Sequence, residues 1–178
     1  MMKKIFLLIT AIILVNIGLI SAQSTITHST ISFKIKNLGI NTNGTISGLQ
    51  ANVKFNPADL ASGTLDASVD ANTINTDNSM RDEHLRKEEF FDPAHYPKIT
   101  LKSVSFKQKG GNNYSGIFSL TIKGKTRQVE IHFTYIDKGS SIAFNGIFKL
   151  NRLDFGIGGS SLVMSNEVTV TVDAEVAR

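Results

Sequence analysis

A chain of 178 residues with 41% hydrophobic residues, 19% charged residues and only three prolines suits one domain of ordinary size and is too apolar for a disordered one. It contains no cysteine, which excludes a disulfide framework, a thiolate metal site, a cysteine nucleophile and a lipid-anchored cysteine. A net charge of +4 is too mild for a dominant nucleic-acid footprint, and no nucleic-acid partner is expected.

The first element lies in residues 1–22. Lys3 and Lys4 precede sixteen uncharged residues, 5–20, and the small pair Ser21 and Ala22 follows. This is the three-part layout of a secretory signal peptide. A transmembrane anchor is the rival reading, but sixteen residues fall short of the ~20 that a spanning helix needs. Cleavage near Ala22 is expected, although Ile20 is a poor match to the small residue such a site prefers. The expected organisation is a signal peptide at 1–22 and one exported domain at 23–178.

Period-two alternation dominates the rest of the chain. Ile31, Phe33 and Ile35 alternate with polar residues, as do Leu49, Ala51, Val53 and Phe55, and then Leu65, Ala67, Val69 and Ala71. A weaker segment spans 99–106. Phe118, Leu120 and Ile122 follow, then Val129, Ile131, Phe133 and Tyr135, then Ile142, Phe144 and Phe148, and finally Val168, Val170, Val172, Ala174 and Val176. This predicts eight strands. Turn signals at 41–44, 109–113, 123–124 and 137–140 are short enough for hairpins and imply antiparallel neighbours. Ile46 breaks the phase of its strand, and Gly48 stands where a bulge restores it. One segment, 77–87, lacks β-branched residues, opens with cap-type side chains and ends on basic ones, which predicts a short helix between strands three and four. Pro93 and Pro97 prevent its continuation.

Eight strands with one apolar face each fit either a two-sheet sandwich or a closed barrel, and the meander of short connections favours the barrel. A barrel of this size is either filled by side chains or holds one small ligand. Phe33, Phe55, Phe118, Phe133, Phe144 and Phe148 lie on apolar strand faces, where they serve a packed core or line an apolar pocket. The polar candidates are Asn78, Arg81, Asp82 and His84 on the helix, with Arg152 and Asp154 on a late loop. Arg81 has a planar fork that suits phosphate or carboxylate oxygens. The alternative is that Arg81, Asp82 and Asp154 form ion pairs fastening the helix to the barrel, with His84 a hydrogen-bonded structural residue. His28, His84, His95 and His132 show no metal-ligand spacing, and no Gly-x-Ser-x-Gly elbow is present. No catalytic residue and no metal ligand is assigned.

An ordered series of blocks then carries a resemblance. Residues 72–78 (Asn-Thr-Ile-Asn-Thr-Asp-Asn), Arg81-Asp82, His84-Leu85, Phe90-Phe91-Asp92 and Tyr96-Pro97-Lys98-Ile99 resemble the central block of the YceI-like family. His28-Ser29 with Phe33, Lys36 and Leu38 resembles its opening block, 120–124 its hairpin motif, and 152–157 its late loop, with Glu167-Val168 opening the last strand. The chain departs from the pattern in lacking an early tryptophan and in having Lys123 where histidine is frequent. The resemblance covers 23–178 and implies an all-β, eight-stranded, antiparallel lipocalin-like barrel, periplasmic or secreted. It implies binding of a long apolar lipid, such as a polyisoprenoid, an isoprenoid quinone or a fatty-acid derivative, for transport, storage or sequestration. The aromatic and polar residues above would then form the ligand site. The partners expected are the lipid, a membrane surface met transiently and a second copy of the chain; no cofactor beyond the lipid is expected. The rival functions are an enzyme acting on the bound lipid with His84 and Asp82 as acid and base, an interaction module, and an outer-membrane barrel. Three tyrosines and no tryptophan are too few for the aromatic girdles of the last.

Overall fold

Alternating strands joined by short turns pair with their sequence neighbours, and the chain here does so almost throughout. The computed structural model describes residues 23–178; the signal peptide expected at 1–22 lies outside the described residues. Nine strands form one antiparallel sheet: β1 (Ile26–Asn37), β2 (Ile40–Ile46), β3 (Gln50–Lys54), β4 (Thr64–Asp70), β5 (Lys98–Gly110), β6 (Asn113–Ile122), β7 (Lys125–Asp137), β8 (Ser141–Asn151) and β9 (Met164–Ala177). Their order is β2-β1-β9-β8-β7-β6-β5-β4-β3, so the two outer strands are consecutive in the chain. The sheet curls until those strands meet at residues 47–49.

The count of nine corrects the expected eight. A bulge at Gly48 was expected to carry one strand through; instead the strand divides into β2 and β3. Gly48 takes a positive φ of 77°, which a glycine adopts without steric cost. The backbone of Ser47 leaves the ladder and bonds elsewhere, its N–H to the Thr73 hydroxyl at 2.8 Å and its carbonyl to the Asp70 N–H at 3.1 Å. Two small bridges cover the free edges: Thr45 exchanges both backbone bonds with Asn75, at 2.8 and 3.0 Å, and Ser24 donates its N–H to the Ala51 carbonyl at 2.9 Å.

Antiparallel order places alternate connections at opposite ends. One end, the mouth, carries the β1–β2 turn, the β6–β7 turn, the long β4–β5 connection and the β8–β9 connection. The β4–β5 connection contains the expected helix, α1 (Ser79–Leu85), and the β8–β9 connection opens with a 3-10 turn at Arg152–Phe155. The other end, the base, carries the β3–β4, β5–β6 and β7–β8 connections. Inward side chains divide accordingly. At the base Tyr114, Phe133, Tyr135, Phe144 and Val176 form a buried cluster with Phe55 and Phe106 packed against it. Nearer the mouth Phe118, Leu120, Ile122, Ile131, Phe148, Phe155 and Ile157 form a second cluster.

Candidate functional site

The mouth half of the interior is not filled. A cavity of about 240 Å³ lies there, walled by inward aliphatic and aromatic residues of several strands: Ile31, Phe33 and Ile35 of β1, Leu101 of β5, Leu120 of β6, Phe148 of β8 and Val170 of β9. Leu85, Phe90, Phe91 and Ile157, from the two long connections, roof it. Exposed Asn37 and Arg81 also line it, so it reaches the surface at the mouth. Phe33 depends on its cross-strand partner Gly44: a Cβ there would lie 2.3 Å from the ring and 2.9 Å from the Asn75 carbonyl oxygen. A second cavity of about 90 Å³ lies toward the base.

The residues singled out by sequence separate into groups. Phe33, Phe148, Arg81 and Arg152 line the larger cavity. Phe118, Phe133 and Phe144 line the smaller. Phe55 lines neither and serves as the hub of the base, with ring centroids 5.1 to 5.9 Å from Phe106, Tyr114, Phe133, Tyr135 and Phe144. Asn78 caps α1, accepting the Arg81 N–H at 3.0 Å. His84 stands outside the cavity, 3.1 Å from the Glu89 carboxylate and 4.9 Å from the Phe90 ring centre. Asp154 is exposed and lines neither cavity. Asp82 also lines neither, so the acid and base of the enzymatic reading do not meet at the cavity wall.

Thr76 organises the polar rim. Its N–H and hydroxyl donate to the Asp82 carboxylate at 2.9 and 2.5 Å, while its hydroxyl and carbonyl accept from Arg81 Nε and Nη2, both at 2.7 Å. Thr76 and Asp82 are buried. Among the described residues no ion pair joins Arg81, Asp82 and Asp154, so the helix is fastened by a shared threonine rather than by paired charges. Arg86 adds a second tie, donating from Nε to the Asn72 carbonyl at 3.0 Å and from Nη2 to the Ile74 carbonyl at 2.9 Å. Neither Thr76 nor Arg86 was singled out by sequence. Lys123, the departure from the family pattern, donates to the carbonyls of Glu88 and Gly156 and so joins the β6–β7 turn to both roofing segments.

Arg152 is only 2% exposed. Its guanidinium donates to the Ser165 carbonyl at 2.9 Å, the Ile157 carbonyl at 2.8 Å and the Asn166 side-chain oxygen at 3.1 Å. Every acceptor is neutral, and burial pulls its pKa below the ordinary value. Among the described residues there is no cluster of three metal-ligating side chains, and no helix is long and apolar enough to cross a membrane. The arrangement is thus an aliphatic chamber with a cationic rim: it can take an apolar chain inward and hold a polar group near the mouth.

Residues 23–176 match the family model of the YceI-like domain. The chain belongs to the YceI-like family. Among its relatives is a UPF0312 protein of Vibrio cholerae, 29% identical over 146 residues that cover 76% of this chain and 77% of the relative. Another, from Yersinia pestis, is 29% identical over 157 residues, covering 83% and 80%. The fold matches that of BcnA from Burkholderia cenocepacia with a TM-score of 0.79 and 27% identity, over 83% of this chain and 95% of that one. A polyisoprenoid-binding domain from Saccharophagus degradans shares the YceI-like fold at 15% identity, with a TM-score of 0.65 over 87% and 97% of the two chains.

Proposed function

We propose that this YceI-like protein is a non-enzymatic carrier that holds the chain of a long apolar lipid, of polyisoprenoid, isoprenoid-quinone or fatty-acid type, inside the mouth half of its barrel. The observation that carries the reading is the unfilled aliphatic cavity open beside α1. The polyisoprenoid-binding description of the structurally similar Saccharophagus domain supports it. Burying apolar carbon is worth about 0.8 kcal/mol per CH₂, so four or five isoprene units would supply on the order of 15 kcal/mol on transfer from water. A lipid already in a bilayer gains little of this, and selection then falls to chain shape and to the polar rim. A cavity of about 240 Å³ is below the ~300–1,000 Å³ of most ligand pockets. It suits a segment of one chain, with greater length accommodated by movement of the roof or by the smaller cavity beneath.

The same reading places the protein in the periplasm or outside the cell after loss of 1–22, and gives the mouth a membrane to meet. Leu38, Ile40, Leu162 and Val163 are exposed large apolar residues, brought together by the Leu38 N–H bonding to the Val163 carbonyl at 2.9 Å. Asn37 and Met164, their chain neighbours, line the cavity. Lys34 and Lys36 stand exposed on β1 behind the tip and have no ion-pair partner among the described residues. Apolar tips backed by lysines suit the surface of an anionic bilayer.

The decisive experiment is to purify the chain from residue 23, extract it with organic solvent and identify bound lipid by mass spectrometry. Recovery of a prenyl or acyl lipid in near-stoichiometric amount is expected. Repeated recovery of empty protein that added isoprenoids and fatty acids do not stabilise would overturn the reading. Flotation with phosphatidylglycerol vesicles tests the membrane surface: the double variant Leu38→Ser, Leu162→Ser should lose flotation and keep its lipid. Unchanged flotation, or apolar tips consumed in a dimer seen by sedimentation, removes the membrane surface from the proposal.

A further inference from the structure

Resting on that reading, the geometry points to an anionic lipid as the preferred ligand, its carboxylate or phosphate oxygens seated against the guanidinium groups of Arg152 and Arg81 at the rim of the cavity. A buried cation is costly unless it is paired, and its usual partner is a carboxylate. Arg152 is 98% removed from solvent by its 2% exposure, yet no carboxylate of the described residues lies within ion-pair distance of it or of Arg81. Arg81 takes both of its acceptors from the neutral Thr76. Asp82 reaches Arg81 only through the hydroxyl of that threonine, so Arg81 shares its compensation at one remove, whereas Arg152 has neutral acceptors alone.

Donor capacity agrees with the charge. A guanidinium carries five N–H groups, and Arg152 uses three, one on each nitrogen. One N–H therefore remains on each terminal nitrogen, in a residue that lines the cavity. Arg81 donates from Nε and Nη2 only, leaving Nη1 free to meet a second oxygen. The remaining wall is aliphatic or aromatic apart from hydroxyl and amide groups such as those of Ser68, Thr100 and Asn37. Among the described residues no acidic one lines the chamber. A neutral alcohol or a hydrocarbon end would leave the buried Arg152 without a counter-charge, whereas an oxyanion supplies one and can also take the free N–H groups of Arg81 at the opening.

The test compares four radiolabelled probes on the delipidated protein by equilibrium dialysis: geranylgeranyl monophosphate with geranylgeraniol, and hexadecanoate with hexadecanol. Each anion is expected to bind at least tenfold more tightly than its own alcohol, and the larger of the two gaps assigns phosphate or carboxylate. Arg81→Gln should cut the ratio of anion to alcohol affinity at least fivefold, whatever it does to the affinity for both. Arg152→Lys, which keeps the charge and removes the fork, should narrow it less. Equal affinity for anion and alcohol in the unmodified protein overturns this inference and leaves the carrier reading standing. Failure of all four probes to bind overturns the carrier reading itself. An anion preference that survives unchanged in both variants shows that the oxyanion sits elsewhere.

Discussion

The two ends of the barrel are built from the same alternating strands and spend them differently. At the base the buried inward positions are mostly aromatic, and one ring, Phe55, is in contact with five others. At the mouth they are mostly aliphatic, and the space between them is not closed. Large flat rings from adjacent strands reach the barrel axis and interlock edge to face, whereas valine, leucine and isoleucine stop short of it. The difference teaches that residue size along each strand, not the alternation itself, decides where the barrel is nearly filled, with about 90 Å³ left, and where it is hollow, with about 240 Å³.

The largest effect is expected from breaking the solid end. Phe55→Ala should cost about 2–3 kcal/mol in chemical denaturation, at or just below the low end of the range for truncating a core aromatic ring, because Phe55 is half-buried yet packed against five other rings. Lipid capacity per folded molecule should remain, because Phe55 lines neither cavity. A loss under about 1 kcal/mol would mean that the aromatic base is not what anchors the fold. Filling the hollow end should do the reverse. Val170 pairs with Phe33 on one side and Phe148 on the other, and Val170→Phe places a ring in the space between them. Lipid affinity should fall at least tenfold, about 1.4 kcal/mol, with stability changed by less than about 1 kcal/mol because the added volume enters a void. Retained affinity would show that the chain lies elsewhere.

Titration should distinguish the ends more gently. At the mouth the exposed His95 is held above its ordinary 6.5, first by its hydrogen bond to Asp92 and then by that carboxylate's charge. Its contribution is fully present below 6.5 and is lost as pH rises through the elevated value. At the base Glu175 is held below its ordinary 4.5 by hydrogen bonds from Lys138, at 2.5 Å, and from the Ser141 hydroxyl. Its contribution is present above 4.5 and is lost as pH falls through the lowered value. Asp92→Asn should return the His95 midpoint, followed by NMR, toward 6.5 and leave acid unfolding of the base unchanged.

Alternation made the strands legible because it reports which side chains face inward. It carries no information on depth, so Phe33 and Phe55 looked equivalent although one borders the cavity and the other follows β3 into the base. The helix expected over 77–87 occurs as Ser79–Leu85, since its caps and flanking prolines act locally. The tie between helix and barrel was less legible. Arg81, Asp82 and Asp154 have the charges of an ion-pair network, but the sequence does not show that Thr76 would be placed to satisfy two of them. Arg86 sits in a charged run that reads as a solvated face, and only the curl of the chain brings the Asn72 and Ile74 carbonyls under it. Gly48 was visible as an interruption; its effect, two strands in place of one bulged strand, depends on Thr73 and Asp70 taking the bonds that Ser47 leaves.

That interruption has a mechanical meaning. Around most of the circumference the wall is held by ladders of hydrogen bonds, but between β2 and β3 the ring is completed by the covalent chain at 47–49, like a strap passed through a buckle. The strap is tied down at Ser47 by Thr73 and Asp70, and the edges beside it by the short bridges at Thr45 and Ser24. The wall at this one meridian is therefore held by isolated hydrogen bonds and the covalent chain, whereas everywhere else it is held by ladders.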